Sequence, residues 1–221
     1  MEIGRTIHLP FQEPLIDVYD PEVGDGQAVL YAAPAEEINK MVALLMDVHL
    51  VPEAADIRAL CNVRFLEHIG LLDASKTYLV ADWSINELSI CIISYGNVEF
   101  LRYQTINTEM EKWRSSEDAT GELVFTYDGD DADYHMLVTD QILEVDRMMN
   151  FFKFSLHKGE RQVDEIIVMG DNPLLCQIAK YLGDNLTTSV KVVDNALVQS
   201  KYPNFKAKHA TLLGLALKEV Q

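Results

Sequence analysis

The chain has 221 residues, 48% apolar and 24% charged, enough for one or two domains with a real core. Its formal net charge is −17. That excess argues against nucleic acid, whose binding rests on Lys and Arg neutralising phosphates, and against direct adhesion to an anionic membrane, which wants basic clusters. Partners with basic segments are favoured, although a solvated acidic surface without such a partner is the commoner case.

Residues 1–27 read as extended, punctuated by Pro10, Pro14, Pro21, Gly24 and Gly26, with no basic start leading into an apolar core, so no signal peptide is expected. "QAVLYAAP" reads as a strand, and "AEEINKMVALLMDVHL" as a helix with Ile38, Met41, Val42 and Leu45 on one face. Pro52 is expected to open a second helix that ends at Gly70. Three strands follow at 78–83, 87–94 and about 97–105, joined by the short links "SIN" and "YGN", so they pair as antiparallel neighbours. A polar stretch runs from Glu109 to about Asp133. The spacing of Val138, Ile142, Val145, Met149 and Phe152 predicts a long helix from about Tyr134 to His157. "VDEIIVMG" is a buried strand. Asn172 is a helix N-cap candidate with Pro173 as the first helical residue, and Gly183 is the left-handed stop of that helix. "SVKVV" is a further strand and "FKAKHATLLGLALKEV" a closing helix, whose interior glycine, Gly214, serves close backbone packing.

The cysteines Cys61, Cys91 and Cys176 are far apart, odd in number and set in apolar runs, as expected of buried free thiols in a reducing cytosol. No apolar run approaches the roughly 18 residues of a membrane span. The acidic cluster at 128–133 fails as a calcium loop, because the positions that need Gly and Glu hold Asp133 and Thr139. None of the six histidines is spaced to share a metal with another, and no metal site is expected.

The turn after Asp82 carries more chemistry. A phosphate held at such a turn needs backbone N–H groups aimed at it, with Asp82 to orient Mg²⁺ through water and Ser84 to donate a hydroxyl. The plainer reading, that Asp82 and Asn86 simply shape a tight turn, is preferred from the local sequence. On the long helix, Glu144 can take ribose hydroxyls and Arg147 can stack on adenine, or both can be its solvated side. "VMGDNPLLCQIAKYLG" is strand, glycine, helix, a form that admits a nucleotide near Gly170.

Several stretches together resemble a known family. "RTIHLPFQEPLIDVYDP", "AVLYAAPAEEINKMVALLMDVHLVPEAADI", "LVADWSINELSICIISYGNVEFLRYQ", "ILEVDRMMNFF", "IIVMGDNPLLCQIAKYL" and "HATLLGLALKE" stand in the order and spacing of patterns in the type IV pilus assembly protein PilM family, relatives of FtsA among the actin-like ATPases. The resemblance implies an α/β fold, an actin-like ATPase (ribonuclease-H-like) half-module of three antiparallel strands and then αβαβα. Residues 73–221 would be that complete domain, and 1–72 the remnant of the first half with its small inserted subdomain. The departures are specific. Where the family has a glycine two residues after the aspartate, this chain has Ser84. The later glycine pair is reduced to Gly170 followed by Asp171, whose carboxylate repels a triphosphate if it points inward. The Gly-Gly after the third strand is absent from "RYQTINTE", and the family's first hundred or so residues have no counterpart.

The resemblance therefore implies a cytoplasmic scaffold, peripheral at the inner face of the cell membrane. It would bind the cytoplasmic tail of an inner-membrane pilus protein of the PilN type, with the pilus motor ATPase as a further partner. No catalytic residue, metal or cofactor is expected. A degenerate nucleotide site would comprise Asp82, Ser84, Glu144, Arg147, Gly170 and Asp171, with ATP and Mg²⁺ returning only if an N-terminal half is supplied. The alternative is an ATP-binding or ATPase member of the actin-like superfamily, FtsA-like or a secretion-system homologue.

Overall fold

The computed structural model describes residues 9, 13–19, 29–119 and 121–219. It divides into two compact units, residues 1–55 and residues 56–219. Residues 56–72 thus pack with the second unit, whereas the family resemblance groups them with residues 1–55.

In the first unit, β1 (Pro14–Tyr19) pairs antiparallel with β2 (Val29–Pro34), and α1 (Ala35–Asp47) follows directly. The expected helix face is only partly enclosed: Ile38, Val42 and Leu45 are half-buried, Met41 is exposed, and α1 contains no buried residue. Met41, Leu44, Met46, Val48, Leu50 and Val51 are all exposed.

The second unit is built on a five-stranded sheet in the order β5-β4-β3-β8-β9. Strands β3 (Thr77–Trp83), β4 (Glu87–Ser94) and β5 (Asn97–Thr105) are antiparallel neighbours. Strands β8 (Glu165–Met169) and β9 (Ser189–Val192) continue parallel to β3. This is the ribonuclease-H-like order expected. β3 and β8 are apolar almost throughout because both sheet faces are covered. Leu79, Ala81 and Trp83 point to one face, where α3 (Asp131–Asn150) and α4 (Leu175–Asn185) lie. Tyr78 and Val80 point to the other, against α2 (Arg58–His68), α5 (Asn195–Gln199) and α6 (Ala210–Ala216).

Several boundaries move for identifiable reasons. Pro52 does not open α2. Asp56 accepts from the Ile57 N–H (2.7 Å) and its carboxylate pairs with Arg64 at 2.6 Å, which holds Ile57 extended and starts the helix at Arg58. The long helix starts earlier than expected, because the Asp130 carboxylate caps it by accepting from Ala132 N–H at 2.7 Å. It ends in a π-helical turn over Phe151–Leu156. Asn172 is not the N-cap and Pro173 is not the first helical residue: α4 starts at Leu175 after Leu174, and Asn172 instead accepts from Leu174 N–H at 2.9 Å within the turn that holds Pro173. Gly183 is not a left-handed stop. The helix passes through it, and Asn185 closes the end by donating to Tyr181 O at 2.8 Å. Cys61 and Cys91 are buried, but Cys176 is exposed because α4 turns Leu175, Ile178, Ala179 and Leu182 inward instead.

The polar stretch from Glu109 to Asp133 holds a hairpin, β6 (Trp113–Glu117) and β7 (Leu123–Tyr127). Its base is fixed by Trp113, whose ring lies 5.1 Å from Tyr127 and 6.0 Å from Tyr134, and whose indole N–H donates to Thr108 Oγ1 at 2.9 Å. At its far end, Glu122 pairs with Lys206 and Lys208, and Lys206 also reaches Asp118. Gly214 lets α6 lie directly on α2, since a Cβ there would fall 1.9 Å from the Cys61 carbonyl oxygen.

Candidate functional site

The ends of β3 and β8, the start of α2 and the turn before α4 meet at one place. Asp82 is the last but one residue of β3 and points to the α2 face. It is 2% exposed. A carboxylate buried so deeply must be neutralised and hydrogen-bonded. Arg58 does both, donating Nε to Oδ2 at 2.6 Å and Nη2 to Oδ1 at 2.7 Å in a two-pronged pair. Asn62, one helical turn on, donates Nδ2 to Oδ2 at 2.6 Å, and its own Oδ1 accepts from Thr211 of α6 at 2.7 Å.

The guanidinium reaches further. Its Nη2 also donates to Ser84 Oγ at 2.9 Å, and Nη1 to Glu87 Oε2 at 3.4 Å. Burial pulls the Arg58 pKa down. The hydrogen bond and charge of Asp82, with the charges of Asp171 and Glu87, outweigh this and leave it above its ordinary value. Arg58 therefore stays charged, and three carboxylates surround one guanidinium.

The β8 side closes over the same spot. Gly170 has φ +124, and a Cβ on it would meet Trp83 O at 2.3 Å, Trp83 N at 2.6 Å and Asp82 Oδ1 at 2.8 Å. Only glycine lets the two strand ends approach this closely. Asn172 then stitches the ends together. Its backbone N–H donates to Trp83 O and its side-chain amide to Ser84 O, each at 3.0 Å, while Tyr134 O–H donates to Asn172 Oδ1 at 3.3 Å.

Of the residues singled out from sequence, Asp82, Ser84 and Gly170 come together here, and Asp171 acts on Arg58 through its charge. Glu144 and Arg147 do not join them. They pair with each other on α3, on the sheet face opposite Asp82, and Glu144 also lies 3.8 Å from Arg102 of β5. Sequence reasoning missed Arg58 and Asn62. The signal was present: two polar residues at i, i+4 on a helix whose remaining inward positions, Cys61, Phe65 and Leu66, are apolar. Among the described residues no group of three or more His, Cys, Asp or Glu could hold a metal ion. No described helix is long and apolar enough to cross a membrane.

No family model matches the chain, and no curated protein matches it. Among solved structures it superposes on a chain of a PilM–PilN type IV pilus biogenesis complex with a TM-score of 0.70 and 19% identity, covering 96% of this chain and 69% of that one. A Bacteroides thetaiotaomicron protein with an actin-like ATPase fold follows at TM-score 0.47 and 9% identity, covering 96% of this chain and 62% of that one. MreB5 of Spiroplasma citri bound to AMPPNP gives 0.45 and 14%, covering 82% and 63%. At 19% identity the likeness to the pilus complex's chain is one of fold alone.

Proposed function

We propose that this chain is a PilM-like scaffold of type IV pilus assembly, working at the cytoplasmic face of the inner membrane and binding the cytoplasmic tail of a PilN-type membrane protein. The observation that carries the reading is the near end-to-end superposition on a chain of the PilM–PilN complex, at TM-score 0.70 over 96% of this chain. It is supported by the sequence resemblance, which runs through both units in the same order. The net charge of −17 suits a tail with basic flanks.

The nucleotide site is degenerate on this reading. Phosphoryl transfer is mostly positioning and electrostatic stabilisation of the phosphates. Here the turn that would meet them has Ser84 in the glycine position, carboxylates at Glu87 and Asp171, and an Asp82 already bound to Arg58 and Asn62. Glu144 and Arg147 belong to the other face of the sheet and supply no adenine cradle at this turn. A role beside the pilus motor ATPase belongs to the same scaffold reading.

The test is a calorimetric titration of the full chain with a synthetic N-terminal tail of a PilN-type membrane protein. Saturable one-to-one binding is expected. Absence of binding to a folded chain, together with competable micromolar binding of an ATP analogue, would replace the scaffold with a nucleotide-dependent switch.

A further inference from the structure

A phosphate-binding reading of this turn puts a hydrated Mg²⁺ beside Asp82, and the residues present do not fit one. An inner- or outer-sphere metal needs free carboxylate lone pairs and room for water. Both acceptor directions of Asp82 Oδ2 are taken, by Arg58 Nε and Asn62 Nδ2. Oδ1 takes Arg58 Nη2, and on its other side Gly170 packs so closely that even a methyl group would sit 2.8 Å away. The Ser84 hydroxyl, a further oxygen of the turn able to bind a hard cation, is turned toward Arg58 at 2.9 Å, and Glu87 Oε2 faces Arg58 Nη1 at 3.4 Å.

We infer that Arg58 is the resident cation of this site: its guanidinium supplies from within the chain the positive charge that a divalent ion would bring, and withdraws Asp82 from metal. The inference rests on the degenerate-site reading and names the group responsible for it. Arginine suits the task because its planar fork bonds both carboxylate oxygens at once and still reaches Ser84 and Glu87. A lysine would neutralise the charge at a single point. The pairing also fastens the first turn of α2 to the β3–β4 turn, a coupling that a diffusible metal would make conditional.

The experiment uses the full chain and its Arg58→Gln, Arg58→Lys and Arg58→Gln/Asp82→Asn variants. Each is titrated with Mn²⁺, reading free ion by electron paramagnetic resonance and stability by Tm. The double variant supplies the background of the acidic surface. The wild type and Arg58→Lys should match that background. Arg58→Gln should bind one ion at least about tenfold tighter and regain part of its lost Tm when the ion is added. A wild type that binds Mn²⁺ above the background of the double variant would overturn the inference. So would a folded Arg58→Gln that binds no more than background, or one that stays unfolded at every Mn²⁺ concentration, since the metal then fails to stand in for the guanidinium. A wild type that binds an ATP analogue without any dependence on Mn²⁺ would instead sink the degenerate-site reading and leave the role of Arg58 intact.

Discussion

Gly170 shows how one residue governs the meeting of two strands. With φ +124 and Trp83 O only 2.3 Å from a notional Cβ, Gly170→Ala must either break the β3–β8 register or push Asp82 off Arg58. A loss of about 3 kcal/mol or more is expected, read as a shift in urea midpoint. Two buried titratable groups define the alkaline limit. Burial pushes the Cys91 thiol to about 12, and burial likewise pushes the Tyr134 phenol, which donates to Asn172 Oδ1, to about 12. Both pKa values are raised, so the folded chain holds protons that the unfolded chain releases. Their stabilisation is complete below the unfolded values of about 9 and 10 and is lost as pH rises toward 12. Unfolding measured from pH 8 to 11 should therefore show stability falling above pH 9, and a Tyr134→Phe variant should show a shallower fall. Asp82, Ser84 and Gly170 were legible in the sequence because a strand, an aspartate and a turn are local facts. Arg58 was not, because its contact with Asp82 spans 24 residues and no short-range rule brings a helix start onto a strand end.

At the scale of elements, α2 and α6 offer a test in which two effects have opposite signs. Alanine is favoured over glycine inside a helix by about 1 kcal/mol. A methyl group at Gly214, however, would lie 1.9 Å from Cys61 O and force the helices apart. Steric overlap wins, and Gly214→Ala should cost about 2–3 kcal/mol. Leu212→Ala, at a position 64% exposed on the same helix, should change stability by no more than about 0.5 kcal/mol. The β6–β7 hairpin poses an electrostatic question. Hydrogen bonds from Lys206 and Lys208 hold the Glu122 carboxyl below its usual range. Its contribution is therefore present above the unfolded carboxylate pKa and fades as pH falls through the folded one. The protection factors of the Asp118 and Glu122 amides should fall in acid and in high salt, and Glu122→Gln should lower them at neutral pH, while the Trp113 end stays protected. This hairpin escaped the sequence reading because "WRSSE" is too polar to announce a strand, and its pairing with "LVFTY" rests on the aromatic cluster with Tyr134. The strands β3 to β5 were legible to within a residue, since continuous apolar runs with short polar links admit few other readings. The start of α2 was misplaced because Asp56, through Ile57 and Arg64, outweighs the helix-opening preference of Pro52.

For the whole molecule, charge sets the terms of association. A chain of net charge −17 should lose affinity for a basic-flanked tail as salt rises, mainly through slower association, and calorimetry at low and high ionic strength would measure the slope. An affinity indifferent to salt would mean that the apolar anchors of the tail carry the binding alone. The sheet order has a different kind of consequence, one that concerns time. β3 pairs with β4 and β4 with β5 across short turns, whereas the β3–β8 pairing joins Asp82 to Met169 and the α2–α6 contact brings Gly214 to Cys61. Closing short loops is fast and distant ones slow, so the three-stranded meander should form while the rest of the chain is still being synthesised. Arg58 precedes Asp82 in the chain, and so the ion pair can be made before β8 emerges. Strand β8 would then dock onto a turn whose charge is already neutralised, and α6 would close the opposite face last. Pulsed hydrogen exchange during refolding should find the amides of β3 to β5 protected before those of β8 and α6. The nascent meander, its β3 edge not yet covered, is then the species most in need of a chaperone.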